Sequence, residues 1–143
     1  MILDRVHQLL HEHADVADTG SPHMDEAVTA AEAALGVMFP ESFREYLRRW
    51  GWLSFGPNEY QGLGSTTHNV VATTPRVRQL RGLPSSFVVV CDHEGDEYVC
   101  LDTALFQGRE CPVVIWDAAA RTVSRPRADN FGDFLESDIR GFL

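Results

Sequence analysis

"FVVVCDHEGDEYVCLD", residues Phe87 to Asp102, decides the fold. Two runs of apolar and β-branched residues flank "HEGDE", and Gly-Asp is ordinary turn chemistry, so the stretch predicts two strands joined by a hairpin connection. Downstream, "CPVVIWD" and the weaker "RTVSRP" repeat the texture across turn-rich or polar links. Together these runs predict an antiparallel meander. The same region is heavily acidic: Asp92 to Thr103 holds five acids in twelve positions and no base.

Upstream the texture is helical. Ile2, Val6, Leu9 and Leu10 fall at helical spacing, with Asp4 early in the segment where a helix dipole favours negative charge. "ADVADTGSP" is small and polar, and its Ser-Pro end predicts Ser21 as an N-cap with Pro22 at the first helical position. Val28, Ala31 and Leu35 line one face of the helix expected next, and Gly36 supplies its left-handed stop. "FPES" then opens "FREYLRRWG", where Phe43, Leu47 and Trp50 recur at i, i+4 and i+7 before Gly51, so two helices form a hairpin. After Trp50 come short pieces, "WLSF" and "EYQGL", punctuated by glycine and too brief for helices; short strands or extended loops fit. "STTHNVVATTPRVRQLRG" is helical again, with Pro75 either in the first turn of a helix capped by Thr74 or kinking a longer one. At the far end Asn130 is placed to cap a closing helix with Phe131, Phe134, Leu135, Ile139 and Phe142 as its apolar stripe and Asp133 in its first turns. Helices followed by strands predict an α+β domain, its antiparallel meander flanked by N-terminal helices and a C-terminal helix. One domain over residues 1–143 accounts for the chain.

The 143 residues suffice for one hydrophobic core, and 44% hydrophobic and 10% aromatic content is that of a folded globule. Twelve bases, all arginine, face 21 acids, a formal net charge of -9. That balance repels nucleic acid and anionic lipid and suits water or a basic macromolecule as neighbour. Cys91, Cys100 and Cys111 have no C-x-x-C spacing and read as reduced thiols in or near the core. With no secretory leader pattern and no run approaching about 18 apolar residues, the cytoplasm is the expected location.

Each candidate for chemistry has a plainer competitor. His7 and His11 lie i, i+4, but "HEHAD" is not H-E-x-x-H, and a solvated helix face explains His7, His11 and His13 without a metal. The run Asp92, Glu94, Asp96, Glu97 suggests calcium, yet Gly95 comes fourth and Thr103 twelfth where an EF-hand loop needs Gly sixth and Glu twelfth. Paired carboxylates catalyse in a cleft, and a wet turn is not one. "GLGST" has neither the nucleophile elbow nor a phosphate loop and reads as a tight backbone corner. Trp50, Trp52, Phe55 and Tyr60 read as core, with room for one or two as interface anchors beside Glu59.

"AEAALGVMFPESFREYLRRWGW", "LPSSFVVVCDHEGDEYVCLDT", "GRECPVVIWD" and "ADNFGDFL" closely resemble, in order, the Smi1/Knr4 family, the SUKH superfamily. The likeness is clearest from residue 25 to 135. It implies an α+β fold with flanking helices. It further implies, for a bacterial member, an immunity protein that binds and neutralises a polymorphic or contact-dependent toxin domain, often a nuclease or nucleic-acid deaminase. Fungal members are regulators linked to cell-wall synthesis, so the alternative is an intracellular scaffold that binds several proteins. Pro75 and the Ala-Ala-Ala connection after Asp117 depart from the family pattern, which supplies no catalytic residues. The expectation is therefore a cytoplasmic antitoxin without enzymatic activity, cofactor or metal, whose partner is a basic toxin and whose oligomeric state the sequence leaves open, a monomer being favoured. Glu59, Asp92, Glu94, Asp96 and Glu97 are the expected docking residues, against the competing reading that the charge only keeps a small globule soluble.

Overall fold

The computed structural model describes residues 2–143. The chain begins with α1 (Asp4–Glu12), β1 (Ala17–Thr19), α2 (Asp25–Leu35) and α3 (Glu41–Trp50). There follow β2 (Leu53–Phe55), β3 (Asn58–Tyr60) and α4 (Val70–Arg81). The meander β4 (Phe87–His93), β5 (Glu97–Asp102), β6 (Val113–Asp117) and β7 (Thr122–Ala128) leads into α5 (Phe131–Phe142). The four meander strands pair in chain order, all antiparallel, and β1, β2 and β3 form a second, smaller antiparallel sheet. The predicted α+β architecture holds, and no helix among the described residues is long and apolar enough to cross a membrane.

The apolar runs of the meander lack a polar face because both faces of the sheet are covered. Val88, Val90, Val99, Leu101, Val113 and Ile115 join a core built with Phe43, Tyr46, Phe131, Phe134 and Leu135. On the opposite face Phe87, Val89, Tyr98, Cys100 and Trp116 pack with Val77 of α4 and with Leu83. A strand buried on both sides reads as a continuous hydrophobic run. β7, at the sheet's edge, is exposed over most of its length and carries Arg125, Pro126 and Arg127, residue types that discourage edge-to-edge pairing.

Three local expectations change. "ADVADTGSP" contains β1, too short to show an alternating pattern and fixed only by its pairing of Ala17 with Phe55 and Thr19 with Leu53. Ser21 and Pro22 do not start α2, which begins at Asp25 after Met24. The Gly20 N–H donates to the Trp52 carbonyl at 3.0 Å, which continues the β1–β2 pairing and keeps the chain extended past the Ser-Pro signal. Pro75 lies inside α4, and the helix is capped by Asn69, whose Oδ1 accepts from Val71 N at 2.9 Å and Ala72 N at 3.3 Å. Thr74 is thus not a cap. Its hydroxyl accepts from the Val89 N–H at 3.1 Å, tying α4 to the outer edge of β4. Phe142 ends the apolar stripe of α5 half in water, 41% exposed, with its ring edge-on to Phe55.

The β5–β6 connection caps a helix far away in sequence. α3 follows Pro40, which has no side-chain acceptor for the helix's free N–H groups. Glu110 supplies it: Ser42 N donates to Oε2 at 2.8 Å, and the buried Ser42 hydroxyl donates to Oε1 at 2.7 Å. The Arg109 carbonyl accepts from Glu41 N at 2.9 Å, and Ser42 Oγ accepts from Gly132 N at 3.2 Å, in the first turn of α5. A carboxylate at a helix N-terminus also meets the positive end of its dipole. We expect Glu110→Ala to destabilise the protein by about 2 kcal/mol in urea unfolding, since two charge-assisted bonds are lost and buried donors left unpaired. Glu110→Gln, which keeps an acceptor, should cost less; equal costs would mean that the bonds to Ser42 contribute little.

Candidate binding cleft

β4 forms the inner boundary of a cleft because its ladder is interrupted by a bulge. Val89 pairs with Cys100 and Cys91 with Val99, so Val90 is an extra residue on its strand. The Val90 carbonyl accepts from Gln61 N at 2.9 Å, which brings the chain just after β3 alongside β4. The two sheets therefore meet at this edge. The Gln61 carbonyl accepts from the Tyr46 hydroxyl at 2.9 Å, so its backbone is pinned at both polar groups. Gly62, next in line, has no room for a Cβ, which would run into the Gly51 carbonyl oxygen.

The cleft this junction leaves has a volume of about 330 Å³. Its walls are Asn58 and Glu59 of β3, Thr67 and His68 on the loop that follows, Thr73 and Arg76 of α4, Cys91, Asp92 and His93 of β4, Glu94 of the turn, and Asp138 of α5. Asp138 accepts from the Tyr60 hydroxyl at 2.6 Å and pairs with Arg127 at 3.4 Å, while Arg127 lies over the Phe134 ring. Glu59 pairs with His68 Nε2. Gln61, 3% exposed, lines the cleft with its side-chain Oε1 buried and unpartnered among the described residues.

The five expected docking acids separate into two groups. Glu59, Asp92 and Glu94 line the cleft. Asp96 and Glu97 line a different depression with Arg81 and Asp117, and Glu97 pairs with Arg125 at 3.1 Å. The turn itself is built as its chemistry predicts: Asp92 Oδ1 accepts from Gly95 N at 2.8 Å, and Glu94 and Gly95 take positive φ. In the connection after Asp117, where glycine is absent, Asp117 Oδ1 accepts from Ala119 and Ala120 N–H groups and Arg121 takes the positive φ. Asp138, Gln61 and His68 had no signal in the sequence, because each joins the cleft only through the packing of α5 and the sheet junction.

Of the histidine candidates, two have ring partners and His11 is exposed. His7 stacks on Trp50 and His13 meets the edge of Phe55. No group of three or more His, Cys, Asp or Glu among the described residues is arranged to hold a metal ion. Trp50, Phe55 and Tyr60 are buried, and Trp52 is half-buried against Gly20. Thr67 Oγ1 lies 2.9 Å from His68 Nδ1, and with Glu59 this makes a hydroxyl–imidazole–carboxylate chain. Thr67 is exposed, however, and Glu59 is half in water, whereas an effective triad holds its carboxylate buried. The one thiol in the cleft, Cys91, donates to the Glu59 carbonyl and is pushed up to about 12 by burial and the nearby acids, so it is not an activated nucleophile.

Two comparisons bear on this architecture. A family model described as SMI1-KNR4 cell-wall matches residues 2–140. A solved structure of a protein from Pseudomonas syringae pv. tomato is similar with a TM-score of 0.63 and 15% identity, over 82% of this chain and 86% of that one. At that identity the likeness is one of fold.

All three cysteines are buried and free, and burial raises each thiol above its ordinary value near 9, Cys91 and Cys111 to about 12. Ellman's reagent at pH 8 should find few reactive thiols in the native protein and three after unfolding in guanidinium. The linkage has a definite sign. Above pH 9 the unfolded chain loses thiol protons that the native state keeps, so stability is full below pH 9 and falls as pH rises toward 12. Fast native labelling of Cys91 would contradict its burial in the cleft wall.

Proposed function

The chain belongs to the SMI1-KNR4 cell-wall family, and from that premise we propose that it is an immunity protein that binds and neutralises a toxin domain and performs no chemistry. The observation that carries the reading is the acid-lined cleft at the sheet junction. Glu59, Asp92, Glu94 and Asp138 are grouped there with a single arginine, Arg76, on a chain of net charge -9. A nuclease or nucleic-acid deaminase is commonly basic because it must grip phosphates, and an acidic partner gains association rate and specificity from complementary charge. The raised Cys91 thiol and the exposed Thr67 hydroxyl also favour binding over catalysis. The proposed location is the cytoplasm, where a toxin that acts on nucleic acid would be met.

Co-expression with the toxin domain encoded beside it should restore growth and give a complex by size exclusion. Absence of both with every neighbouring toxin would overturn the immunity reading, and capture of many endogenous proteins from unchallenged cells would favour a scaffold instead. Turnover of any compound by homogeneous protein, abolished by His68→Ala, would restore an enzymatic reading. The grouping of the acids makes a finer expectation. Glu59→Gln with Asp92→Asn and Glu94→Gln should slow association about tenfold at low salt and flatten its salt dependence, whereas Asp96→Asn with Glu97→Gln should change it little. Stopped-flow association over a salt series checks this; equal effects would place the interface on the turn as a whole.

A further inference from the structure

We propose that the cleft between β3, α4 and the β4–β5 turn is a socket for a single arginine side chain presented by a protein partner. The inference rests on the proposed protein-binding role and specifies the chemical group recognised. Gln61 lines the cleft, and the Oε1 of this nearly fully buried residue has no hydrogen-bond donor. A buried acceptor without a donor is unfavourable, and the pinned backbone of Gln61 limits how far the residue can shift to find one. That acceptor therefore lacks a donor.

The acids that line the cleft retain acceptor capacity. Asp138 is committed to Tyr60, Asn58 and Arg127. Asp92 uses only Oδ1, for the Gly95 N–H, Glu59 is engaged through one oxygen by His68, and Glu94 has no hydrogen bond or ion pair among the described residues. Spare oxygens thus stand on three side chains that line the same cleft as Gln61. A guanidinium offers five N–H donors in one plane and can serve several such acceptors at once, while an ammonium is a compact point charge with three. An anion would be repelled, and a metal ion finds no ligand group arranged for it. A volume of about 330 Å³ is that of roughly eleven waters at about 30 Å³ each, and it lies at the small end of ligand pockets, fitting a side chain better than a large ligand. Arg76 lies on the same wall but is exposed and forms no ion pair with the cleft acids, so it opposes an incoming cation without filling the socket.

The test needs no toxin. N-acetyl-arginine-amide titrated into ¹⁵N-labelled protein should give saturable shifts of the Gln61 side-chain NH₂ and of the Asp92 and Gly95 amides, at millimolar concentration and low salt. N-acetyl-lysine-amide should bind at least fivefold more weakly. Asp92→Asn with Glu94→Gln, at the exposed end of β4 and in the turn after it and with the acceptor for the Gly95 N–H kept, should weaken the arginine probe about tenfold. Arg76→Ala should strengthen it severalfold, and Gln61→Leu should weaken it where the unfolding midpoint shows that the variant is folded. No saturable shift at Gln61, equal affinity for both probes, or unchanged affinity in the double amide variant would overturn the socket. Growth rescue is read separately: rescue without probe binding removes the socket and keeps the immunity role, and probe binding without rescue does the reverse.

Discussion

The Glu110 carboxylate is the point on which the assembly of the helices depends. The sequence between Pro40 and Trp50 makes a strongly amphipathic helix but gives it no N-cap of its own. A loop between two central strands provides one, and the Ser42 hydroxyl passes the connection on to the first turn of α5. A single carboxylate thus fixes the sheet, α3 and α5 relative to one another. Phe43, Tyr46, Phe131 and Phe134 meet in the space enclosed, with ring centroids 4.9 Å apart for Phe43 and Phe131. Edge-to-face ring packing has a definite geometry, so the directional bonds and the apolar burial select the same arrangement.

The cleft is a consequence of how the edge of β4 is closed. An edge strand presents free N–H and C=O groups, and this one is closed twice, at the Val89 N–H by Thr74 of α4 and at the Val90 carbonyl by Gln61. The bulge that exposes the Val90 carbonyl is what allows a second sheet to attach there at all. Attachment of a narrow, three-stranded sheet to the middle of a longer strand leaves the distal part of β4, Asp92 and His93, projecting beyond it, and α5 closes the side with Asp138. Stability and the concave surface have the same origin.

The charge distribution follows that geometry. The acids of "DHEGDE" lie within six residues in sequence but separate in space, Asp92 and Glu94 lining the cleft beside β3 and Asp96 and Glu97 the depression beside Asp117. One group meets Glu59 and Asp138; the other meets Arg81, Arg125 and Asp117 and is partly neutralised. In the cleft, acids from three distant segments, β3, the β4–β5 hairpin and α5, converge.

The amino-acid sequence by itself determined the elements whose signals are local. The four strands of the meander, the stripes of α2, α3 and α5, the Asn130 cap with its 2.8 Å bond from Asp133 N, and the turn at Gly95 all follow from periodicity and turn chemistry read within a dozen residues. The acid concentration and its turn were equally visible. Only tertiary structure decided β1, the start of α2, the passage of α4 through Pro75, and the composition of the cleft, where Gln61 and Asp138 stand beside Glu59 and Asp92. Each of these depends on a hydrogen bond or contact between segments far apart in the chain, and such a partner adds free energy that no local propensity encodes. A three-residue strand or a lone buried amide has too little intrinsic preference to declare itself until the fold supplies what it pairs with.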